Sequence, residues 1–402
     1  MRLLTITHYA DLLGANRSLL HLLEGLQVKG VIIEVWCPRE GAFTAALRER
    51  NIAYRILFFA NAAYSLRARG FYLFPLNWLK TKQKLPEYTA FALDFQPDII
   101  HSNSSVVAIG AWLAEKINVP HVWHIREYGW LDYQLFFLVG RPFMSHYLQQ
   151  AAAIIAISKS IASHIQADYK ISPAQIVSIF NGIGKRKIIE SSIYTLDKSI
   201  EDTEKPLIFL IIGLLHPSKN QLQALRAFHL FYQNYTKNDA ENIHKKRAIK
   251  LQIIGNGRRD YTAYLQRYIQ RNKLSSVVEM LGFTADPAPY YQTAFCVLMC
   301  SPNEAMGRVT AEAMAYQKIV IGNNSGATPE LITHLQNGLL YDGTDHDLAE
   351  KMSFLFQAVA SNPNFIQNIA QNAKQTVLQQ FTDEVYTDRV YTLFQQILTL
   401  KT

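Results

Sequence analysis

Short apolar runs alternate with segments of helical periodicity along almost all of this chain, and that rhythm restricts the fold more than any single residue does. Arg2–Thr7, 32–36 and 53–58 read as strands. Between the first two, residues 16–29 place Leu19, Leu20, Leu23 and Leu26 at helical spacing, and 43–50 reads as a short helix. Strands are expected again at 98–101, 119–123, 153–157 and 176–180. This alternation predicts an α/β chain with a parallel, doubly wound sheet and helices on both faces. The rhythm breaks over 184–205, where Lys185-Arg-Lys187 leads into a polar stretch, and this reads as a connection. It then resumes with strands at Leu207–Ile212, 250–254, 277–280, 295–300 and 319–321, and a helix over 222–235. Residues 236–247 are polar and read as a surface insertion. Beyond about 345 the chain reads as helical, with Thr382 as the N-cap of the last helix.

A length of 402 residues at 49% hydrophobic allows two such domains, each with its own core. The three cysteines, Cys37, Cys296 and Cys300, stand in or beside apolar runs with no repeating spacing, which predicts buried thiols rather than a disulfide framework. The first strand is too short and too polar for a signal peptide. No apolar run reaches the roughly 18 residues that span a bilayer. Net charge is +8. Residues 1–185 carry 18 basic and 12 acidic side chains against 22 and 20 in the remainder, so the excess lies in the first half. No dense basic block with interleaved aromatics occurs, and nucleic acid is not expected as a partner. The stretch Phe71-Tyr-Leu-Phe-Pro-Leu-Asn-Trp-Leu-Lys-Thr-Lys-Gln-Lys84 has two readings: an interfacial element on an anionic membrane, or a helix that packs its aromatics inward and solvates its lysines.

The segment Ser301-Pro-Asn-Glu304-Ala-Met306-Gly307-Arg308-Val309-Thr-Ala-Glu312-Ala-Met-Ala315 follows an apolar run. It reads as a strand end, a loop carrying Glu304, and a helix starting near Gly307. Such a start leaves backbone N–H groups and the positive end of the helix dipole free for a phosphate. Glu312, in the second turn, can accept from hydroxyls. A diphosphate flanked by two hydroxyl-rich groups would fit, and a nucleotide-sugar is such a molecule.

Other strand ends repeat the logic. Gly14 lies at the first strand-to-helix turn, followed by Asn16 and Arg17. Gly213 ends the first strand of the second half, and Lys219 and Asn220 follow; a cation at a helix start points to an anion there or to a solvated lysine. Gly255-Asn-Gly257 reads equally as a tight turn or a binding loop. His124 and the His101-Ser-Asn103-Ser segment end strands, His124 being open to a core or a site role. No histidine has metal-ligand spacing, so no metal is expected. No nucleophile elbow or P-loop lysine motif is present.

These stretches together resemble the retaining glycosyltransferases of family 4 (glycosyl transferases group 1), which have the GT-B fold of two Rossmann-like domains facing each other across a cleft. Glu304 and Glu312 match the family's E-x7-E element. The resemblance extends over Asn323-Asn-Ser-Gly326-Ala-Thr-Pro-Glu330, Asn337-Gly-Leu-Leu340, Gly255-Asn-Gly257, Asn181-Gly-Ile183 and Gly14-Ala-Asn-Arg17. It implies an acceptor-side domain over 1–184, a nucleotide-sugar domain over 185–384, and a last helix, 385–402, packing back on the first. By that resemblance Glu312 binds the ribose and Glu304 the sugar. Lys219 neutralises the diphosphate, and the amides near Gly307, Arg308 and Val309, with Met306 alongside, cradle it. Gly14, Gly213, Asn220 and Gly255 line the donor, His124 lies near the reacting sugar carbon, and Asn16, Arg17, Asn103 and Arg126 face the acceptor. The chain departs from the family at Leu214, where an arginine is common, and Arg308 is the expected substitute.

The activity so implied is transfer from a UDP- or GDP-linked sugar to a hydroxyl of a glycan or lipid-linked acceptor, with retention, in bacterial surface polysaccharide synthesis. It needs no cofactor and no metal, because the cations oppose the leaving charge. The expected location is cytoplasmic, at the inner face of the plasma membrane. A non-catalytic or epimerase-type nucleotide-sugar-binding protein of the same fold is the alternative.

Overall fold

The computed structural model describes residues 1–65, 71–184, 205–238 and 247–400. The connection expected over 184–205 and most of the insertion expected over 236–247 lie outside the described residues. The elements in chain order are β1 (Arg2–Thr7), α1 (Gly14–Val28), β2 (Ile32–Cys37), α2 (Ala42–Glu49), β3 (Ala53–Ile56), β4 (Ala63–Ser65), α3 (Phe74–Phe95), β5 (Ile99–Asn103), α4 (Ile109–Ile117), β6 (His121–Ile125), α5 (Trp130–Tyr133), β7 (Leu135–Phe137), α6 (Arg141–Gln149), β8 (Ala153–Ala156), α7 (Lys159–Tyr169) and β9 (Ile176–Ser178). They continue with β10 (Leu207–Ile212), α8 (Gln221–Asn238), β11 (Ile249–Ile254), α9 (Arg259–Arg271), β12 (Val278–Gly282), α10 (Ala288–Thr293), β13 (Cys296–Met299), α11 (Arg308–Ala315), β14 (Ile319–Asn323), α12 (Thr328–Leu331), β15 (Leu339–Tyr341), α13 (Asp345–Ser361), α14 (Pro363–Gln380) and α15 (Asp383–Thr399). The chain divides into two units: Met1–Gly182 together with Thr382–Thr402, and Ile183–Phe381.

In the first unit seven parallel strands lie in the order β3-β2-β1-β5-β6-β8-β9. The chain leaves β1 toward β2 on one side and returns to β5 on the other, so the carboxyl ends of β1 and β5 flank the switch point where open α/β sheets bind ligands. The register sets Thr7 beside Asn103, and Asn103 beside His124. The second unit has six parallel strands in the order β12-β11-β10-β13-β14-β15, with its switch point between β10 and β13. A small antiparallel pair, β4 with β7, stands apart from both sheets and was not legible as alternation.

One face of the first sheet is covered by α1 and α15. Leu19, Leu22, Leu23 and Leu26 pack with Tyr386, Val390 and Phe394 in a single buried cluster. Burial of side chains of this size contributes about 1.5–3 kcal/mol each. Thr382 caps α15 by accepting from the Val385 N–H. On the other face Trp36, Tyr88 and Trp112 are buried. Within 71–84, Phe74 and Trp78 turn inward, with Trp78 and Trp112 rings 4.5 Å apart. Tyr72, Leu76 and Leu79 turn outward and are 71%, 50% and 52% exposed. The inward-packing reading of that stretch thus holds for Phe74 and Trp78. All three cysteines are free and buried.

The central strands run further than the apolar runs suggest. β6 ends at Ile125 and β5 at Asn103, so His124 and His101 sit inside strands rather than beyond them. The polar residues remain in the sheet because they satisfy one another, as the sites below show.

Candidate functional site

In the second unit, β13 delivers the chain into Cys300-Ser301-Pro302-Asn303-Glu304. The turn after β14 holds this loop: the Ala327 N–H donates to the Glu304 carbonyl (2.8 Å) and Ser325 Oγ to the Pro302 carbonyl (2.7 Å). Glu304 is buried. Its Oε2 pairs with Lys219 Nζ at 2.6 Å, and its Oε1 accepts from the Gly307 N–H at 3.2 Å. Gly307 adopts φ 87°, a left-handed conformation that favours glycine, and α11 begins at the next residue. No side chain caps that start and no acidic residue lies in its first turn. Thr310, in that turn, is fully buried, and its Oγ1 has no hydrogen-bond partner. Ser301 Oγ is likewise buried without one. Met306 is buried beside this turn, and Val309 is half-buried on it.

Arg308 and Glu312 stand one turn apart on α11, with Nη2 to Oε1 at 3.3 Å. Tyr291 donates to the other oxygen of Glu312 at 3.3 Å, and burial followed by the Glu312 charge pushes its hydroxyl well above the ordinary tyrosine range. Both cations expected to face a diphosphate thus each rest on one of the two glutamates. Lys219 itself ends a short 3-10 turn (Pro217–Lys219) and precedes α8; Asn220 follows at φ 53° and bonds Gln223. Gly213, at the end of β10, has open space on its side-chain face, whereas Leu214 is 55% exposed. Gly255 serves otherwise. A Cβ there would lie 1.8 Å from the Gly213 carbonyl oxygen, so this glycine admits the neighbouring strand exit and turns no side toward open space.

The first unit builds its strand ends mostly from neutral groups, with one buried cation, Arg126, and one carboxylate, Glu127, bonded to serines. Arg126 is buried and donates to Asn103 Oδ1 (2.6 Å), Asn181 Oδ1 (2.5 Å) and the Tyr386 hydroxyl (3.1 Å), tying β5, the end of the first stretch of this unit and α15 together. Its Nη2 also reaches His124 Nδ1 at 3.4 Å. A guanidinium only donates, so that nitrogen of His124 is the bare one and Nε2 carries the proton. His101 Nε2, 3.2 Å from the same Nδ1, then donates as well, and Thr5 Oγ1 donates to His101 Nδ1 at 3.3 Å. His124 is left with a buried Nε2–H that has no acceptor. Burial, with Arg126 next, holds His101 down at about 3 and His124 well below the ordinary range, so both rings are neutral.

The residues expected to face the acceptor divide sharply. Asn16 is fully buried, accepting from Thr7 and donating to the Tyr9 and Asp11 carbonyls. Asn103 is fully buried and Arg126 nearly so, and both are spent on protein partners. Arg17 remains half-exposed at the start of α1, its Nε on the Leu12 carbonyl at 3.0 Å. Gly14, the first residue of α1, has nothing near its side-chain face. Among the described residues there is no cluster of three or more side chains able to hold a metal ion.

Two family profiles cover this architecture. That described as "Glycosyl transferases group 1" matches residues 194–395, and "Glycosyltransferase Family 4" matches residues 13–185. The chain belongs to the glycosyl transferases group 1 family. It is 26% identical over 291 residues to an alpha-monoglucosyldiacylglycerol synthase of Streptococcus pneumoniae, covering 68% of this chain and 61% of that one. It is 23% identical over 252 residues to an N-acetyl-alpha-D-glucosaminyl L-malate synthase of Bacillus anthracis, covering 62% and 61%. The matches thus span about three-fifths of these relatives. Among solved structures, Anabaena Alr3699/HepE in complex with UDP superimposes with a TM-score of 0.77 at 19% identity, covering 98% of this chain and all of that one. The lipopolysaccharide outer core galactosyltransferase WaaB superimposes at 0.71 and 17%, covering both chains fully. The fold is GT-B, two Rossmann-like parallel-sheet domains.

Proposed function

We propose that this glycosyltransferase moves a sugar, with retention, from a UDP- or GDP-linked donor to a hydroxyl of a glycan or lipid-linked acceptor in the assembly of a bacterial surface polysaccharide. The start of α11 carries the reading: a helix N-terminus behind Gly307 that no side chain caps, the unpartnered Thr310 hydroxyl, and Lys219 and Arg308 each on a glutamate. A diphosphate placed there accepts from the N–H groups and draws on both cations. Arg308, released from Glu312, takes the place of the arginine absent at Leu214 and leaves that carboxylate for the ribose hydroxyls. Lys219 answers the charge of the leaving phosphate, and Glu304 holds the sugar. The sugar–phosphate C–O bond breaks as the acceptor oxygen bonds on the same face, and the leaving phosphate oxygen takes the acceptor proton. The cations and helix start supply the charge that a divalent metal supplies elsewhere, so excess chelator is expected to leave turnover unchanged. The UDP and UDP-glucose complexes of the Anabaena protein of like fold favour a uridine donor. Thermal denaturation against UDP-, GDP- and dTDP-sugars is the test. A ligand at 100 times its Kd adds about 2.7 kcal/mol; no shift with any of them, together with no nucleotide release, would sink the reading. A shift without release would favour the non-catalytic alternative.

The acceptor surface includes the outward side of α3. Among the described residues no helix is long and apolar enough to cross a membrane. Tyr72, Leu76 and Leu79 form an exposed apolar stripe, and the exposed Lys80 and Lys84 lie on one flank of it and Lys82 on the other. That arrangement suits a helix lying in an anionic interface, each lysine near the surface adding about 1 kcal/mol. The S. pneumoniae relative, named for a diacylglycerol product, supports a lipid acceptor. Sedimentation with phosphatidylglycerol vesicles is expected to fall at least tenfold in a Lys80→Glu, Lys82→Glu, Lys84→Glu variant. Equal binding would remove this surface from the proposal.

A further inference from the structure

Next to Arg126, whose side chain points into the protein, Glu127 does the opposite. One oxygen, Oε1, accepts from Ser104 Oγ at 2.7 Å, from the Ser105 N–H at 2.8 Å and from the Ser105 hydroxyl. The other, Oε2, has no partner among the described residues, and the residue is only half-buried. The turn that supplies the donors is strained. Ser104 holds φ 124°, outside the regions that residues with a side chain normally occupy. Strain of about 1–3 kcal/mol persists where surrounding structure over-determines it, commonly at ligand sites. Here it brings two successive serines onto a single carboxylate oxygen and fixes the direction of the second.

His8 follows β1 at the same switch point. Its Nδ1 is buried with no partner. In the tautomer that carries its proton on Nε2, Nδ1 is a bare acceptor. Burial lowers the ring to about 4 although the Glu127 charge works the other way, so it stays neutral at physiological pH. Two hydrogen-bond acceptors without donors, one charged and one neutral, thus stand at the carboxyl ends of β1 and β6 on either side of β5. A single polar molecule bearing two hydroxyl groups would satisfy both.

We propose that Glu127 Oε2 and His8 Nδ1 are the acceptor-positioning groups of this glycosyltransferase, receiving two hydroxyls of a sugar or of a glycerol headgroup. The inference rests on the transfer reading above and replaces Asn16, Asn103 and Arg126 as the side chains that meet the acceptor; those three form the frame behind it. Glu127→Gln is the informative variant. The amide oxygen still accepts from Ser104 and Ser105, while the amide nitrogen puts a donor where Oε2 accepted. The shape is kept and the hydrogen-bonding sense is reversed.

The test is saturation-transfer NMR on the full chain with UDP present, using methyl α-D-glucopyranoside as the sugar probe and 1,2-dihexanoylglycerol as the lipid probe. At least one probe is expected to bind the natural sequence and to lose at least tenfold in affinity in Glu127→Gln, with UDP affinity on the same sample held within about twofold. The probe that responds identifies the source of the hydroxyls. Should Glu127→Gln fail to fold, His8→Ala provides the second reading, with a loss of threefold or more expected. A natural chain that binds UDP but neither probe, or variants that keep full probe affinity, would overturn the proposal. Failure to bind UDP, or GDP in its place, counts instead against the nucleotide-sugar reading of the second unit.

Discussion

The two units solve the same topological problem with opposite electrostatics. Each brings polar side chains to the carboxyl ends of a parallel sheet at its switch point. The second unit uses ion pairs, Lys219 with Glu304 and Arg308 with Glu312, around an uncapped helix start. The first uses neutral histidines, amides and hydroxyls, with Arg126 held by Asn103, Asn181 and Tyr386 and no ion pair to a carboxylate among the described residues. Paired charges can exchange partners when an anion arrives at modest cost, because each ion remains compensated. A neutral network has nothing to release, and so fixes geometry. The contrast suits an anionic donor on one unit and a hydroxylated acceptor on the other.

The largest effect expected is on the charged side. Lys219→Ala removes the partner of Glu304 and one of the two cations beside the α11 start, and should lower kcat/KM for the nucleotide-sugar by about 10²–10³, the scale seen when a group that stabilises developing charge is removed. Arg308→Ala should cost less, and the difference between the two variants in steady-state kinetics sharpens the division of labour. Full activity in both would break the comparison.

Acid should separate the units next. His8 at about 4, His101 and His121 at about 3, and His124, held well below its ordinary value, are all depressed, first by burial. Below about 6.5 the unfolded chain takes up protons that the folded first unit refuses. Stability from these groups is therefore intact above that pH, and falls by up to about 1.4 kcal/mol per histidine per pH unit on the way down to the folded values. In the second unit His334, a surface side chain, is lowered as well. All five tryptophans lie between Trp36 and Trp130, within the first unit. Urea unfolding followed by tryptophan fluorescence should lose midpoint steeply between pH 7 and pH 5; a flat midpoint would show that the histidine network is not protected from protonation.

The smallest effect is a gain. Leu214→Arg restores a cation where the family commonly has one, on an exposed position where a new charge contact is worth about 0.2–1 kcal/mol. Donor Kd should fall by up to about fivefold in calorimetry. A tighter donor with unchanged Arg308 dependence would show that the two arginines do separate work.

Much of this was legible in the chain of residues itself. The alternation of short apolar runs with helical periods specified two doubly wound sheets. Gly307 followed by a helix-forming run announced an uncapped start, and Thr382 announced the last helix. These signals succeed because caps, turns and periodicities are set within a few residues. The β4–β7 pair escaped because three-residue strands carry no periodicity. Asn16, in the first turn of α1, and Asn103 and Arg126, at strand ends, showed the pattern expected of ligand contacts, but sequence could not tell a side chain facing a ligand from one facing a neighbour.

What the tertiary structure alone decided is partnership. Lys219 meets Glu304 across 85 positions, and Arg126 meets Tyr386 across 260. Strand order and register bring such groups together, and neither is written locally. The same long-range placement turns Arg126 inward, leaves His124 with an unpaired N–H, and gives Glu127 one anchored oxygen and one free. The amino-acid sequence determined which chemistry each strand end carries; the packing of distant strands and the last helix determined which of those groups remain available to a substrate.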